Sequence, residues 1–306
     1  MTDYRGLLAE LAVPRLAGTF PAEQVRAVLK RELAARGFVV MEHRFTGRSL
    51  LHRLGRVPLA GVNLIAVRPR PRSPARVATW LVAHYDSKGQ PLSMAARLGA
   101  AALAGVGAVE LLGLALRAVL GGVHPSLLDG MLGGAGVVGA ALLAVNRVTD
   151  RSAGAVDNAA GVITAFATVD ALPPDVPVGL ILPDAEEYGL LGARALVRER
   201  AHLLADTTIV NFDGIDDRGL TIALLHRAGA TVDRVARTLA ARRARWLPVL
   251  VDGLALAATA RECVTIMRGN WSTARVVHTL RDTAARLTLD GARRVAGGVA
   301  AALFPG

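Results

Sequence analysis

Six short apolar runs of β type recur along the chain, at 61–67, 77–83, 177–182, 207–212, 220–224 and 263–267. Stretches with helical spacing alternate with them, at 158–171, 189–204, 231–245 and 284–302. An earlier helical region spans 5–36, with a restart after Pro21 and a stop at Gly37. Runs that are apolar on both sides need cover on both sides. Strand–helix alternation supplies it when helices flank a mostly parallel sheet. The 306 residues are enough for one large α/β domain with a sizeable core.

One segment breaks this rhythm. Residues 95–148 are almost purely small and apolar, and they read as two helices joined by a Gly/Pro turn. Residues 1–94 and 149–306 then form a single α/β domain, with 95–148 an inserted helical hairpin. Each arm is near the ~20 residues that a bilayer requires. Gly130 with Gly134, and Ala135 with Gly139, give the spacing of small residues that suits close helix contact in lipid. Lys88, Arg97, Arg147 and Arg151 flank the arms on the domain side, and the turn has no Lys or Arg. A membrane-associated protein with a cytoplasmic catalytic body is therefore expected. The competing reading is a soluble cap or dimerisation arm, because Glu110, Arg117 and Asp129 interrupt the arms. The N-terminus lacks a continuous apolar stretch, so no signal peptide is expected. Oligomeric state is not legible.

The net charge of +11 is carried almost entirely by arginine, since Lys30 and Lys88 are the only lysines. Aromatic residues make up 4%, and the arginines are scattered (Arg68, Arg70, Arg72; Arg242, Arg243, Arg245). This argues against a nucleic-acid partner and suits attraction to anionic lipid. Cys263 is the only cysteine, so no intrachain disulfide can form. It lies inside an apolar run, as a core residue does. With no G-x-S-x-G elbow either, a serine or cysteine hydrolase has no support.

The polar residues at the strand ends carry the chemistry. His84 and Asp86 follow the 77–83 run; Asp157 and Asn158 stand at a helix start between glycines; Glu186 and Glu187 follow the 177–182 run. Asp213 ends the 207–212 run, and His278 and Asp282 lie near the C-terminus. Taken singly, each has an ordinary reading as a turn residue, an N-cap or a helix-dipole partner. Together they are two histidines and several carboxylates where the carboxyl ends of strands converge. That set suits a pair of Zn²⁺ ions, each with a His nitrogen, carboxylate oxygens and an open position, one carboxylate bridging both. One glutamate of the adjacent pair can bind metal while its neighbour takes a proton from water. Asp86 can accept the second ring N–H of His84.

The ordered pieces HYDS, GAVDNAAG, DAEEYGLLGA, NFDGID and VVHT with Asp282-Thr283 resemble the M28 family of co-catalytic zinc peptidases, over about 80–300 without the hairpin. The resemblance implies a three-layer α/β/α sandwich with a mixed sheet of about eight strands, and a peptide substrate. It implies two zinc ions per chain, with Asp157 bridging, Glu187 and His278 completing one site, and His84 and Asp213 the other. Glu186 is then the general base, Asp86 orients His84, and Asp282 supports His278. Most members are aminopeptidases. Two departures concern the fold: the hairpin replaces a short loop, and VDG at 251–253 stands where many members have Ser-Asp-His. A third is that many relatives are exported.

Two other functions stay open. Glutaminyl cyclases look like one-metal relatives that also carry HYDSK, matched here by His84 to Lys88; they are acyltransferases. A catalytically silent membrane scaffold is the other. His43, His52, His124, His202 and His226 fall outside the matched motifs and read as surface or structural residues. Tyr85 and Tyr188, beside ligand positions, read as packing.

Overall fold

The computed structural model of the chain describes residues 2–49, 57–68, 77–122 and 124–305. His52, Arg70, Arg72 and Val123 of the hairpin turn lie outside the described residues.

Two helices open the chain, α1 (Tyr4–Leu11) and α2 (Phe20–Ala35). Pro21 sits in the first turn of α2, where its missing N–H costs no hydrogen bond, so the helix begins just before it. Next come β1 (Val39–Gly47), β2 (Leu59–Val67) and β3 (Thr79–Val82). The hairpin helices α3 (Met94–Val119) and α4 (Leu127–Val145) follow, then α5 (Ala160–Asp170), β4 (Val178–Leu182) and α6 (Leu191–Leu204). The last part comprises β5 (Thr208–Ile215), β6 (Leu220–Arg227), α7 (Ala230–Thr238), β7 (Arg242–Ala244), α8 (Asp252–Leu256), β8 (Glu262–Gly269), α9 (Trp271–Ala274) and α10 (Asp290–Leu303).

The strands form one mixed sheet in the order β1-β2-β4-β3-β5-β8-β6-β7. Strands β4, β3, β5 and β8 are mutually parallel, and β6 pairs parallel with β7. The β1–β2, β2–β4 and β6–β8 pairings are antiparallel. Two strands were not legible in the sequence. β1 is an edge strand with Val39 and Met41 exposed, so its apolar pattern is broken. β7 occupies part of the stretch expected to be helix at 231–245. There α7 stops at Thr238, Ala240 turns left-handed at φ 46°, and a short arginine-bearing edge strand follows.

Along β3 the side chains alternate between two cores. Leu81 and Ala83 join the large cluster under α1, α2, α5, α7 and α10, while Trp80 and Val82 join the one under α6 and α8. After β3 the chain crosses to β4 on one side, and after β4 it returns past β3 to β5 on the other. Right-handed crossovers in opposite directions place α5 and α6 on opposite faces. The strand order thus reverses at β3, and a crevice opens at its carboxyl end.

The hairpin helices meet through glycine. A β-carbon at Gly107 would overlap Gly136, and one at Gly139 would overlap the backbone at Ala100 and Ala104. Gly130 and Gly134, expected to serve this contact, face open space. Large apolar side chains point outward, among them Val109, Leu112, Val119, Leu127 and Val137. Both helices are long and apolar enough to cross a membrane. Arg117 is paired with Glu110 at 3.0 Å and Asp129 at 2.7 Å. The feet of the hairpin are tied by a two-bond bridge between Gly89 and Thr149.

Gly179 of β4 leaves room for the indole of Trp80 on the neighbouring strand, which a β-carbon would strike. Gly179→Val is expected to lower unfolding stability by about 1–3 kcal/mol, the usual range for overpacking a core. Urea denaturation measures this; an unchanged midpoint would show that the indole does not need the gap.

Candidate metal centre

The crevice at the end of β3 collects the residues singled out in the sequence. His84 lies two residues past β3, and Glu186 and Glu187 form a 3₁₀ turn four residues past β4. Asp213 lies within β5, not beyond it, where the pairing with β8 shifts register between Phe212 and Ile215. Asp157 and Asn158 precede α5 in non-helical conformations, and Asn158 does not cap the helix; its amide donates to the Phe212 carbonyl at 2.8 Å. His278 lies in the loop after α9, with a left-handed backbone at φ 66°. Ala185, which aims the two glutamates, is also left-handed at φ 56°. Such conformations are strained for residues with a β-carbon and persist only where the surroundings enforce them.

Two groups of donor atoms result: His84, Glu186 and Asp213, and Asp157, Glu187 and His278. Asp157 joins them. Its Oδ1 stands 3.1 Å from His84 Nε2, and its Oδ2 stands 2.9 Å from His278 Nε2. Glu187 Oε1 is 3.1 Å from the same His278 nitrogen, and Asp213 Oδ1 is 4.0 Å from His84 Nε2. All these residues are buried.

The protonation pattern around His84 points to a cation. Its Nδ1 meets the backbone carbonyl of Asp86 at 3.2 Å. A carbonyl can only accept, so Nδ1 carries a hydrogen, and the ring turns Nε2 toward the carboxylate oxygens. Despite the short distances, His84 Nε2, Asp157 Oδ1, Glu187 Oε1 and His278 Nε2 are all buried without a hydrogen bond. Unsatisfied buried polar atoms are costly, and here four face one another. Nitrogen and carboxylate donors with lone pairs converging on one space fit zinc.

The charges respond to this crowding. Burial works against charge on His84, but Glu186 and Asp157 outweigh it and hold its pKa well above the ordinary histidine value. Burial would raise Asp157, yet His278 and His84 keep it well below the carboxylate range. Burial, against the pull of His84, pushes Glu186 well up, helped by Glu187 and Asp213. Asp213 is raised by burial and by Asp157. The two adjacent glutamates therefore diverge, because Glu187 resists burial through His278 and Lys88 and is held low.

The supporting residues differ in part from the expectation. The Asp86 carboxylate approaches His84 Nδ1 only to 3.4 Å. Its two oxygens accept instead from the backbone N–H of Glu186 at 3.1 Å and of Glu187 at 3.2 Å. Asp282 does not back His278; it accepts from the N–H of Val156 at 2.7 Å and of Asp157 at 3.3 Å. Four further residues matter. Arg15, fully buried, donates to Tyr85 and Ala153 carbonyls at 2.5 Å and to Gly154 at 3.0 Å, stitching the His84 and Asp157 segments together. Lys88 pairs with Glu187 Oε2 at 2.6 Å. Arg97 of α3 reaches His278 Nδ1. Asp252 is buried with both oxygens unpartnered, and burial pushes it up to about 7. Lys88 had a signal in HYDSK and Asp252 in VDG, while Arg15 and Arg97 had none.

The family model for peptidase family M28 matches residues 138–303, more than half of the chain. A search of curated proteins found no match. Among solved structures, the glutaminyl cyclase of Porphyromonas gingivalis is similar with a TM-score of 0.66 at 17% identity, covering 98% of this chain and 96% of that one. The glutaminyl cyclase of Fimbriiglobus ruber gives 0.63 at 18%, over 98% and 92%. A zinc aminopeptidase from Bacillus subtilis gives 0.64 at 11%, over 99% and 94%. At these identities the likeness is one of fold.

Asp86→Ala removes the acceptor under both glutamate N–H groups. It is expected to weaken zinc binding about 10–100-fold, the range for lost support of metal ligands. Competition against a chromophoric chelator measures this, and an unchanged affinity would remove Asp86 from the site's support.

Proposed function

The chain belongs to peptidase family M28, and from that premise we propose that it is a zinc-dependent exopeptidase, an aminopeptidase in the first instance. The observation that carries this reading is Asp157, with one oxygen beside each of two histidine nitrogens that are buried without a hydrogen bond. In the proposed arrangement two zinc ions would share Asp157, one held also by Glu187 and His278 and the other by His84 and Asp213. Bound zinc supplies Lewis acidity, which polarises a carbonyl and acidifies water. Glu186 belongs with His84 and Asp213 by distance, but its raised pKa suits a base better than a ligand. It takes a proton from the attacking water and returns it to the amine that leaves. Asp86 fixes Glu186 and Glu187 through their backbones, Lys88 holds Glu187, and the walls of the crevice limit water.

A second reading has a specific observation behind it. Lys88, the last residue of HYDSK, is engaged at the site, and solved cyclases share this fold as fully as the aminopeptidase does. A one-metal acyltransferase would use only Asp157, Glu187 and His278. Zinc stoichiometry by mass spectrometry separates the readings. About two zinc ions per chain are expected, falling to about one in His84→Ala; one in both would favour the cyclase, and none would favour a silent scaffold. Glu186→Gln should keep its metal and lose roughly 10²–10⁴ in kcat, as for a lost general base.

The hairpin is proposed as a two-pass membrane anchor with the catalytic body on the cytoplasmic side. Support comes from the outward apolar side chains, the helix lengths and the basic feet opposite a turn without Lys or Arg. In cell membranes washed with alkaline carbonate, the intact protein should stay in the pellet. Its release into the supernatant would favour the soluble cap.

A further inference from the structure

We infer that the peptide substrate carries a carboxylate next to its scissile bond, held by arginines at the mouth of the metal centre. The inference rests on the exopeptidase reading and adds the substrate class. A cavity of about 590 Å³ opens beside His278, between the foot of α3 and the segment 278–281. Arg151 and Arg281 line it, together with Gln90 and Thr279, and no Asp or Glu does so among the described residues. Both arginines are exposed and form no ion pair among the described residues.

Arg97 does not line the cavity itself but stands behind its wall, against His278. Its guanidinium lies against His278 Nδ1, and its Nε is buried without a partner. His278 turns Nε2 toward Asp157 and Glu187. If that nitrogen serves the metal, Nδ1 carries the ring hydrogen and cannot accept from Arg97. Arg97 is then left with only the weakly accepting Met94 Sδ, 3.5 Å from its Nη2, and no anion. Two other shielded guanidiniums have carboxylates, Arg36 with Glu32 and Asp170, and Arg286 with Asp216, while buried Arg15 is satisfied by backbone carbonyls. The cavity beside His278 therefore holds donors of one sign and lacks the anion that satisfies them.

The sign decides the ligand. A substrate ammonium or lysine side chain is repelled here, whereas the planar fork of arginine matches a carboxylate through two parallel hydrogen bonds. The carboxylate can be an Asp or Glu side chain or the free C-terminus of a short peptide. Because the cavity adjoins a candidate ligand, it belongs to the residue beside the bond that is cut.

The test uses the full-length, zinc-loaded protein in detergent. Rates are compared for Ala-Glu-amide, free Ala-Ala, Ala-Ala-amide and Ala-Lys-amide. One or both carboxylate peptides should exceed Ala-Ala-amide by about ten- to a hundredfold in kcat/KM, the range for a charge-assisted hydrogen bond. Ala-Lys-amide should be the poorest. Which carboxylate peptide is preferred identifies the source. In the Arg151→Gln/Arg281→Gln double variant the ratio should fall toward one. The Arg242→Gln/Arg245→Gln double variant, at exposed arginines on and just beyond β7 at the sheet edge, is the charge-matched control and should keep the ratio. Glutarate binding by calorimetry should weaken by a similar factor in the double variant, with no turnover required. Failure to hydrolyse any peptide would overturn the exopeptidase reading, and the glutarate titration would then judge the pocket by itself. Equal rates for carboxylate and amide peptides, or an unchanged ratio in the double variant, would overturn the carboxylate pocket. So would loss of binding to anionic vesicles in that variant with the ratio unchanged, which would assign the arginines to lipid.

Discussion

A carboxylate placed between two imidazole nitrogens, with no hydrogen bond to either, is the constraint on which the site depends. Asp157 is in that position, and its geometry satisfies no one without a cation. Around it the protein has buried Glu186, Asp213 and Asp252, raised by burial and by neighbouring like charges, beside Glu187, which His278 and Lys88 hold low. Such an arrangement works against folding until positive charge arrives. A cation bound there would therefore add to folding free energy. The permanent cations Arg15 and Lys88 hold the parts together but do not reach the centre of the cluster.

The sheet explains how these groups come to face each other. Reversal of strand order at β3 leaves a crevice that only strand ends and loops can fill. β3 delivers His84, β4 delivers the glutamate pair, and β5 contributes Asp213 from within the strand. The remaining two candidate ligand positions come from irregular backbone that must be propped. Asp282 holds the Asp157 segment by two N–H groups, and the His278 carbonyl accepts from Gln90. Left-handed residues at Ala185 and His278 mark where local preference yields to this demand.

The central fold was legible because its strands are apolar on both faces and end on chemistry. The edges were not. β1 alternates imperfectly because one side of it faces water, and β7 is too short and too basic to read as a strand. The identities of the candidate ligands could be read from residues near them in sequence. Their supports could not, because Arg15 acts across 70 positions and Arg97 across 181. Asp86 shows a subtler limit. Its place beside His84 suggested that it served the histidine, and its carboxylate does stand 3.4 Å from Nδ1, but the same carboxylate also holds the backbone of the glutamates after the next strand. Of the glycines expected to join the hairpin, Gly139 does so and Gly130 and Gly134 do not, since a run rich in glycine offers several faces of similar composition.

The bridge between Gly89 and Thr149 brings the two feet of the hairpin side by side. To the sheet, the whole excursion between them is equivalent to a tight turn. Loop-closure entropy grows only with the logarithm of length, and antiparallel helices return the chain to its starting point whatever their extent. Matched whole turns, about 3.6 residues in each arm, can thus be added or removed without moving Asp157 relative to His84. The reach of the hairpin can drift over generations while the spacing of the metal centre stays fixed.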